Sequence, residues 1–290
     1  MQDYIIRATA GNGSVRIFAA NTRNLANNAR LLHQTAPVAT AALGRTLTAA
    51  AMMGATLKNE TDILTLDIRG NGPLGGIVVV ADNKSHVKGY VLNPDVDIPK
   101  KANGKIDVSG AVGIGVLTIT KDMGLKEPVS GQVELITSEI AEDITYYFAT
   151  SEQTPSSVAL GVLVDVDYSV KQAGGYIIQL MPFAKEEVIA HLECVLPSLP
   201  PITTLLESGK TIEDILNMIF ENQDLTILET IHPKFSCNCS RDKTKKALIS
   251  VGLDELKKIL EEDQGANLHC NFCNKDYYFN SCEIELLLAQ

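Results

Sequence analysis

The amino-acid sequence predicts an α+β fold, with a mixed and largely antiparallel N-terminal domain, a helical connector and a small cysteine-rich C-terminal domain. Two observations support this prediction. Strand-like runs are separated by short Gly, Asn or Asp turns, a pattern that favours antiparallel hairpins. The helical stretches do not alternate regularly with the strands, which argues against a doubly wound parallel sheet. A length of 290 residues suits about two domains.

Residues 1–181 carry the predicted α+β core of the protein. The helical pattern of the third predicted helix opens at Ser138, a residue type that favours the N-cap position. The predicted helices are Thr22–Thr35, Val38–Leu57 and Ser138–Glu152. The predicted strands are Tyr4–Thr9, Val15–Ala20, Ile63–Arg69, Gly76–Ala81, His86–Leu92, Gly115–Thr120, Gln132–Thr137, Ala159–Val166 and Tyr176–Leu180.

The composition changes at Pro182. Residues 182–231 contain nine acidic and two basic residues, a net charge of −7. Two amphipathic helical runs, Lys185–Leu196 and Thr211–Phe220, lie on either side of a proline-rich turn, and the second opens with a capping-box pattern. We therefore predict an acidic helical linker that is weakly stable alone, followed by a third domain at residues 232–290.

The charge of the chain limits its partners. The formal net charge is −10, and such an acidic surface repels phosphate backbones, so we expect neither nucleic-acid nor membrane binding. The apolar stretch Ala36–Leu57 carries Arg45 and consists mainly of Ala, Thr and Gly, which indicates a buried helix instead of a membrane span. With no secretory signal visible, we expect a cytoplasmic protein whose six cysteines are thiols, metal ligands or redox centres.

Four of the cysteines form two close pairs. Cys237-Asn238-Cys239 is followed thirty residues later by Cys270-Asn271-Phe272-Cys273. Two thiol pairs separated by a helical insert are what a tetrahedral four-thiolate zinc site requires. A segment of 59 residues with few apolar side chains would fold poorly alone, and a bound metal can contribute about 10–16 kcal/mol. We predict one Zn²⁺ per chain on these four thiolates, in a small C-terminal zinc domain.

The spacing of the first pair suggests a second property. Structural zinc sites generally use two to four residues between paired cysteines, and here there is one. Oxidation could join each pair into a local disulfide, which would remove the four thiolates and unfold the small domain. This switch is a hypothesis, and a permanently structural zinc site is the alternative.

The remaining metal-ligating residue types fit simpler roles. His232 and His269 lie near the cysteines, but four thiolates already complete a tetrahedral site, and we interpret His269 as an exposed turn residue. Cys194 and Cys282 stand alone in helical pattern, where a thiol is usually a small buried hydrophobe. The basic run Arg241, Lys243, Lys245 and Lys246 lies in a segment with eight basic and nine acidic residues, which favours a solvated helix face.

One glycine motif resembles a cofactor site. Gly70-Asn71-Gly72-Pro73-Leu74-Gly75 matches the dinucleotide-binding pattern, which requires a helix to open at its third glycine. The apolar run that follows predicts a strand, so we interpret the motif as a hairpin turn. The sequence contains no nucleophile elbow, no H-E-x-x-H motif and no P-loop lysine. We therefore expect no catalytic residues, no cofactor-binding residues and no enzymatic activity.

Taken together, these patterns resemble the redox-regulated molecular chaperones of the 33-kilodalton heat-shock family over the whole chain. The cysteine spacing is highly specific, whereas the other motifs are individually weak and collectively persuasive. The motifs are Phe235-Ser236-Cys237-Asn238-Cys239-Ser240, Cys270-Asn271-Phe272-Cys273, Gly70-Asn71-Gly72-Pro73-Leu74-Gly75-Gly76, Ile140-Ala141-Glu142-Asp143-Ile144, Tyr147-Phe148, Ser151-Glu152-Gln153-Thr154-Pro155, Ala173-Gly174-Gly175-Tyr176 and Gln179-Leu180-Met181-Pro182.

The resemblance implies a holdase without an ATP site. In the reduced state, zinc on Cys237, Cys239, Cys270 and Cys273 would keep the protein inactive. Peroxide, especially with heat, is implied to pair Cys237 with Cys239 and Cys270 with Cys273 and to release zinc. The connector then loses its packing, the protein forms a homodimer, and apolar surface becomes available to unfolded client proteins.

Two other classes of function remain as alternatives. A nucleic-acid-binding zinc module would require a basic face, and the charge count argues against it. A thiol oxidoreductase using Cys270 and Cys273 would place the first cysteine at a helix N-terminus near a βαβ unit. The residues around this pair predict a hairpin instead.

Overall fold

A computed structural model describes residues 2–288 of the chain. The polypeptide divides into two compact units, with the division between Phe235 and Ser236. The first unit contains two β-sheets and seven of the helices described below, and the second contains a β-hairpin and three helices. This architecture confirms the predicted α+β class and its largely antiparallel character.

The two sheets of the first unit contain all nine of the predicted strands and two further ones. The five-stranded sheet has the order β10-β1-β2-β9-β8, and its strands are β1 (Tyr4–Ala10), β2 (Val15–Asn21), β8 (Ser156–Val164), β9 (Val170–Leu180) and β10 (Thr226–Ile231). The six-stranded sheet has the order β11-β5-β4-β3-β6-β7, and its strands are β3 (Ile63–Gly70), β4 (Gly76–Asp82), β5 (His86–Val91), β6 (Gly115–Asp122), β7 (Val129–Glu134) and β11 (Lys234–Phe235). All neighbouring strands are antiparallel except β11 and β5, which are parallel.

A helix of small residues packs between the sheets. The first four helices are α1 (Arg23–His33), α2 (Pro37–Gly54), α3 (Val108–Val112) and α4 (Ala141–Thr150). Helix α2 contacts β8 and β9 of one sheet and β3, β4 and β5 of the other. A Cβ atom on Gly44 would lie 2.9 Å from the Val162 side chain, so the small residues allow close approach. The predicted buried helix is therefore confirmed, and Arg45 in its middle pairs with Glu139 at 2.6 Å.

The glycine motif forms a hairpin turn, as predicted. Strands β3 and β4 pair in antiparallel register from Ile63 with Asp82 to Arg69 with Gly76, so a strand follows the third glycine where a nucleotide-binding fold has a helix.

Ser138 does not cap helix α4, and this prediction was wrong. The helix begins three residues later, at Ala141, and Ser138 has a positive φ of 61°. The buried Asp143 carboxylate accepts the backbone N–H groups of the preceding loop instead: those of Ile136, Thr137, Ser138 and Ile140, at 2.8 to 3.2 Å. The Asp143 carboxylate, within the first turn of the helix, therefore takes the capping role that was expected of the Ser138 hydroxyl.

The acidic segment 182–231 contains the predicted helices and packs within the first unit. Its elements are α5 (Glu186–Val195), a 3₁₀ turn (Leu196–Ser198), α6 (Ile202–Glu207), α7 (Ile212–Ile219) and β10. The predicted capping box of α7 is present, with the Thr211 hydroxyl and the Asp214 carboxylate accepting each other's backbone N–H at 3.1 and 2.9 Å. The strand β10, which pairs with β1, was not predicted.

These helices cover one face of the five-stranded sheet and form a second core with it. The sheet contributes Ile6, Ala8, Ala10, Val15, Ile17, Ala19, Tyr176 and Ile178, and the helices contribute Val188, Leu192, Ile202, Leu205, Leu206, Ile212, Ile215, Leu216, Ile219 and Phe220. The structure thus divides the chain at residue 235, whereas the sequence suggested boundaries at 181 and 231. Those boundaries stay a prediction about which parts fold independently.

The second unit is small and has a correspondingly small core. Its elements are α8 (Arg241–Ser250), α9 (Leu253–Asp263), β12 (Gly265–Cys270), β13 (Lys275–Asn280) and α10 (Ser281–Leu288). The buried apolar residues of this core are Leu248, Leu256, Phe279, Ile284 and Leu287. So few buried side chains leave a unit of this size dependent on additional stabilisation.

Two truncations test whether the sheet needs its helical cover. We expect a fragment of residues 1–235 to unfold cooperatively, because it contains both cores of the first unit. A fragment of residues 1–181 should expose the apolar sheet face around Ile6, Ile17 and Ile178, and should therefore bind a hydrophobic dye and self-associate. Circular dichroism, dye fluorescence and sedimentation measure these properties. A shorter fragment that is monomeric and binds no dye would show that the cover is dispensable.

Candidate metal centre

The four paired cysteines come from two turns of the second unit. Cys237 and Cys239 lie just before α8, whose N-cap Ser240 accepts the Lys243 N–H at 3.3 Å. Cys270 ends β12, and Cys273 lies in the turn to β13, where its N–H donates to the Cys270 carbonyl at 3.1 Å. The hairpin predicted around this second pair is present, with Cys270 opposite Lys275.

These four side chains converge on one point. Their Sγ atoms all lie within 4.8 Å of one another. The Sγ atoms of Cys237 and Cys270 are 3.7 Å apart, and those of Cys239 and Cys273 are 3.3 Å apart. Four thiolates at about 2.3 Å from a tetrahedral zinc ion would lie about 3.8 Å from each other. The donor set and its spacing therefore fit a tetrahedral metal ion.

Three thiols of the cluster differ in pKa. The Tyr277 hydroxyl, 3.1 Å from the Cys239 sulfur, lowers the pKa of the Cys239 thiol to about 7. Burial raises the pKa of Cys237, and burial together with the hydrogen bond to Cys239 raises the pKa of Cys273 to about 12. The pKa of Tyr277 is itself raised to about 12 by its bond to Cys239. A metal cation supplies the positive charge that would keep all four sulfurs deprotonated at neutral pH.

Arg241 connects the first cysteine turn to the hairpin through direct contacts of its side chain. Its guanidinium donates to the Tyr278 carbonyl at 2.8 Å and to the Glu283 carboxylate at 2.6 Å. It also lies 4.3 Å from the centre of the buried Phe279 ring. Arg241 is exposed, as predicted for a solvated helix face, and its contacts also hold the start of α8 against β13 and α10.

The other candidate residues lie outside the cluster. The His232 ring nitrogen Nδ1 lies 3.0 Å from the Asp3 carbonyl oxygen in the first unit. His269 is exposed and pairs with Asp276 at 2.9 Å, although it lies in β12 and not in the turn. Between residues 2 and 288, the four cysteines are the group of His, Cys, Asp or Glu side chains arranged to hold a metal ion.

Cys194 and Cys282 are both exposed, so their interpretation as buried hydrophobes was wrong. Cys194 lies on α5 and Cys282 on α10, each at an exposed position of its helix. The site residue that sequence reasoning missed is Tyr277. Strand alternation from Phe279, which is buried, would place Tyr277 on the same face, but nothing in the sequence indicates that this face meets the cysteines.

The fold and the site define a class: a two-unit α+β protein whose small unit is organised around four convergent thiols. The family model described as "Hsp33 protein" matches residues 3–280, and the chain belongs to the Hsp33 chaperone family, which confirms the resemblance seen in the sequence. Among the described residues, we find no helix that combines the length and the apolar character needed to cross a membrane.

The chain matches named relatives over nearly its whole length. It is 51% identical over 291 residues to a "33 kDa chaperonin" of Clostridioides difficile (strain 630), covering 100% of both sequences. It is 52% identical over 289 residues to one of Clostridium botulinum (strain Eklund 17B / Type B), covering 99% of this chain and 98% of that protein. The crystal structure of the 33 kDa chaperonin from Thermotoga maritima matches with a TM-score of 0.93 and 38% identity, covering 100% of this chain and 98% of that one.

Replacing Arg241 tests its role in the small unit. We expect Arg241→Lys to destabilise the second unit by about 1 kcal/mol, because a lysine keeps the charge but loses the two-fold donation and much of the ring contact. Faster hydrogen exchange of the β12–β13 amides reports this loss. Lys246→Gln, an exposed position on the same helix, is the matched control. Equal exchange in both variants would show that the metal centre alone holds the turn.

Proposed function

We propose that the protein is a redox-regulated holdase, inactive when reduced and zinc-bound. Oxidation forms two disulfides, removes the ligands of the zinc ion, unfolds the second unit and releases the helical linker. The protein then binds unfolded or partly unfolded clients and prevents their aggregation. The observation that carries this proposal is the convergence of four sulfurs within 4.8 Å in a chain of the Hsp33 chaperone family.

The proposed ligands are Cys237, Cys239, Cys270 and Cys273, with one Zn²⁺ per chain. Zinc supplies a dication that stabilises four neighbouring thiolates and joins the two turns. The separations of 3.7 and 3.3 Å between opposite sulfurs support this assignment. The small apolar core around Leu256 and Phe279 gives the metal a structural role, because the free energy of metal binding contributes directly to folding.

Oxidation by peroxide consumes these ligands two at a time. One sulfur attacks a peroxide oxygen, the O–O bond breaks, and the second oxygen leaves as hydroxide. The resulting sulfenic acid condenses with a neighbouring thiol and expels water. Each disulfide therefore consumes one peroxide, which accepts two electrons from the pair of sulfurs. We propose the pairs Cys237 with Cys239 and Cys270 with Cys273, which are the pairs close in sequence. The two short sulfur–sulfur distances instead join Cys237 with Cys270 and Cys239 with Cys273, so peptide mapping of the oxidised protein distinguishes the two pairings.

The linker helices are the proposed source of client-binding surface. Their apolar side chains and those of the five-stranded sheet bury one another, while the nine acids of residues 182–231 keep the segment soluble. At its end, β11 pairs with β5, and Phe235 packs against the main core, two positions before the first ligand. Unfolding from Cys237 onward would leave β11 and the pairing of β10 with β1 to hold the end of the linker.

We further propose the context in which this function operates. The protein is cytoplasmic and acts without enzymatic turnover, residues 1–181 serve as the core chaperone domain, and residues 232–290 serve as the redox-switch domain. Activation favours a homodimer, because exposed apolar surface also favours self-association. The net charge of −10 argues against nucleic acid as a partner.

Peroxide treatment of the zinc-loaded protein tests the proposal. We expect one zinc ion to be lost as four thiols disappear, followed by suppression of light scattering from a heat-denatured client and by faster sedimentation. Cys239→Ser should lose zinc without oxidant, because three thiolates hold the ion less tightly.

The matched control is the double variant Cys194→Ser/Cys282→Ser. Both positions are exposed and lie outside the cluster, so this variant should behave as the unmodified protein does. Zinc that remains bound under peroxide, or that leaves with no gain in client protection, would instead establish a permanently structural site.

A substitution in the linker tests the second step of the switch. Leu216 on α7 is fully buried, and Leu216→Ala should destabilise the helical cover by about 2–5 kcal/mol. We expect this variant to protect clients at lower peroxide or lower temperature than the unmodified protein, with its zinc content unchanged. Met218→Ala on the same helix, at a position 39% exposed, is the control and should cost less than about 1 kcal/mol. An unchanged activation threshold in Leu216→Ala would separate client binding from linker release.

A further inference from the structure

Tyr277 occupies a special position beside the metal centre. Successive side chains on β13 point to opposite faces, so Tyr277 shares a face with the buried Phe279, and Tyr278 points away and is 59% exposed. The Tyr277 ring packs against the small core of the second unit. Its hydroxyl lies 3.1 Å from the Cys239 sulfur. The ring is thus held by packing, and the hydroxyl is directed at one proposed ligand.

We propose that Tyr277 is a positioning residue of the metal centre, which donates a hydrogen bond to the Cys239 thiolate and thereby sets how readily oxidant attacks the centre. This inference rests on the proposed function and extends it to a residue outside the ligand set. A thiolate has no proton to give, so the phenol must be the donor in the metal-bound state. The bond orients the sulfur and withdraws part of its negative charge.

The hydrogen bond affects both metal binding and oxidation, and both effects follow from the chemistry of the sulfur. Partners that orient a metal ligand typically contribute 10–100-fold to metal affinity. The attack on peroxide uses a sulfur lone pair to form the S–O bond while the O–O bond breaks and hydroxide leaves. A hydrogen bond that withdraws electron density from the sulfur lone pair slows this attack, and Tyr277 keeps its proton throughout. Tyr277 therefore increases the affinity of the four cysteines for the metal ion and raises the amount of oxidant needed to release it.

The test compares Tyr277→Phe with Tyr278→Phe in the zinc-loaded, full-length protein. Phenylalanine keeps the ring and removes only the hydroxyl. We expect Tyr277→Phe to bind zinc about tenfold less tightly in a chelator competition and to release it about tenfold faster at a fixed peroxide concentration. Tyr278→Phe should match the unmodified protein in both. In the cobalt-substituted protein, the sulfur-to-metal charge-transfer band should shift in the first variant alone.

A second variant covers the case in which Tyr277→Phe perturbs the fold. With 3-fluorotyrosine at position 277 the ring stays and the hydroxyl becomes a stronger donor, so zinc release under peroxide should become slower than in the unmodified protein. Equal release rates for all three side chains at position 277, or faster release with the stronger donor, would overturn the inference while leaving the switch intact. An unmodified protein that binds no zinc, or keeps it under peroxide, would overturn the proposed function itself and this inference with it.

Discussion

The convergence of four cysteine sulfurs is the constraint on which the second unit depends. Their Sγ atoms lie within 4.8 Å of one another, so four thiolates held here would repel one another unless a cation balanced their charge. The apolar core behind them contains five buried side chains, too few for a segment of this size. If a metal ion binds these sulfurs as proposed, metal binding and folding form one equilibrium in this unit. Chemistry that removes the thiolates would then act on the fold directly.

In the proposed switch, the first unit would respond to loss of the metal through the end of its linker. Helices α5 to α7 bury an apolar face against the five-stranded sheet and expose their acids, so their stability comes from tertiary packing more than from helix propensity. The C-terminal end of the linker is held by β10, which pairs with β1, and by the two-residue strand β11, close in sequence to Cys237. The strand β11 is the shorter of these two attachments, so local unfolding that spreads from the cysteines would reach it first.

The sequence predicted the features that local patterns encode and missed those that tertiary contacts decide. Alternation and turns located all nine predicted strands, and the strand predicted from Gly76 onward correctly identified the glycine motif as a hairpin turn. The N-cap at Ser138 failed because Asp143, from inside the helix, captures the loop amides. Cys194 was misplaced because composition does not reveal which helix face meets the sheet. Tyr277 was missed because its role depends on a turn 38 residues away.

The energies of the two parts explain why oxidant and heat would act at different places. A zinc ion on four thiolates contributes about 10–16 kcal/mol, which equals or exceeds the total stability of most domains, about 5–15 kcal/mol. In the proposed switch, heat alone would leave the metal centre folded at temperatures that loosen packed helices. Disulfide formation would remove the ligands, and with them the contribution of the metal to folding. The linker, held by apolar packing, would then melt at a temperature set by its own core, so oxidation would unfold the second unit and temperature would determine how much of the helical cover is lost.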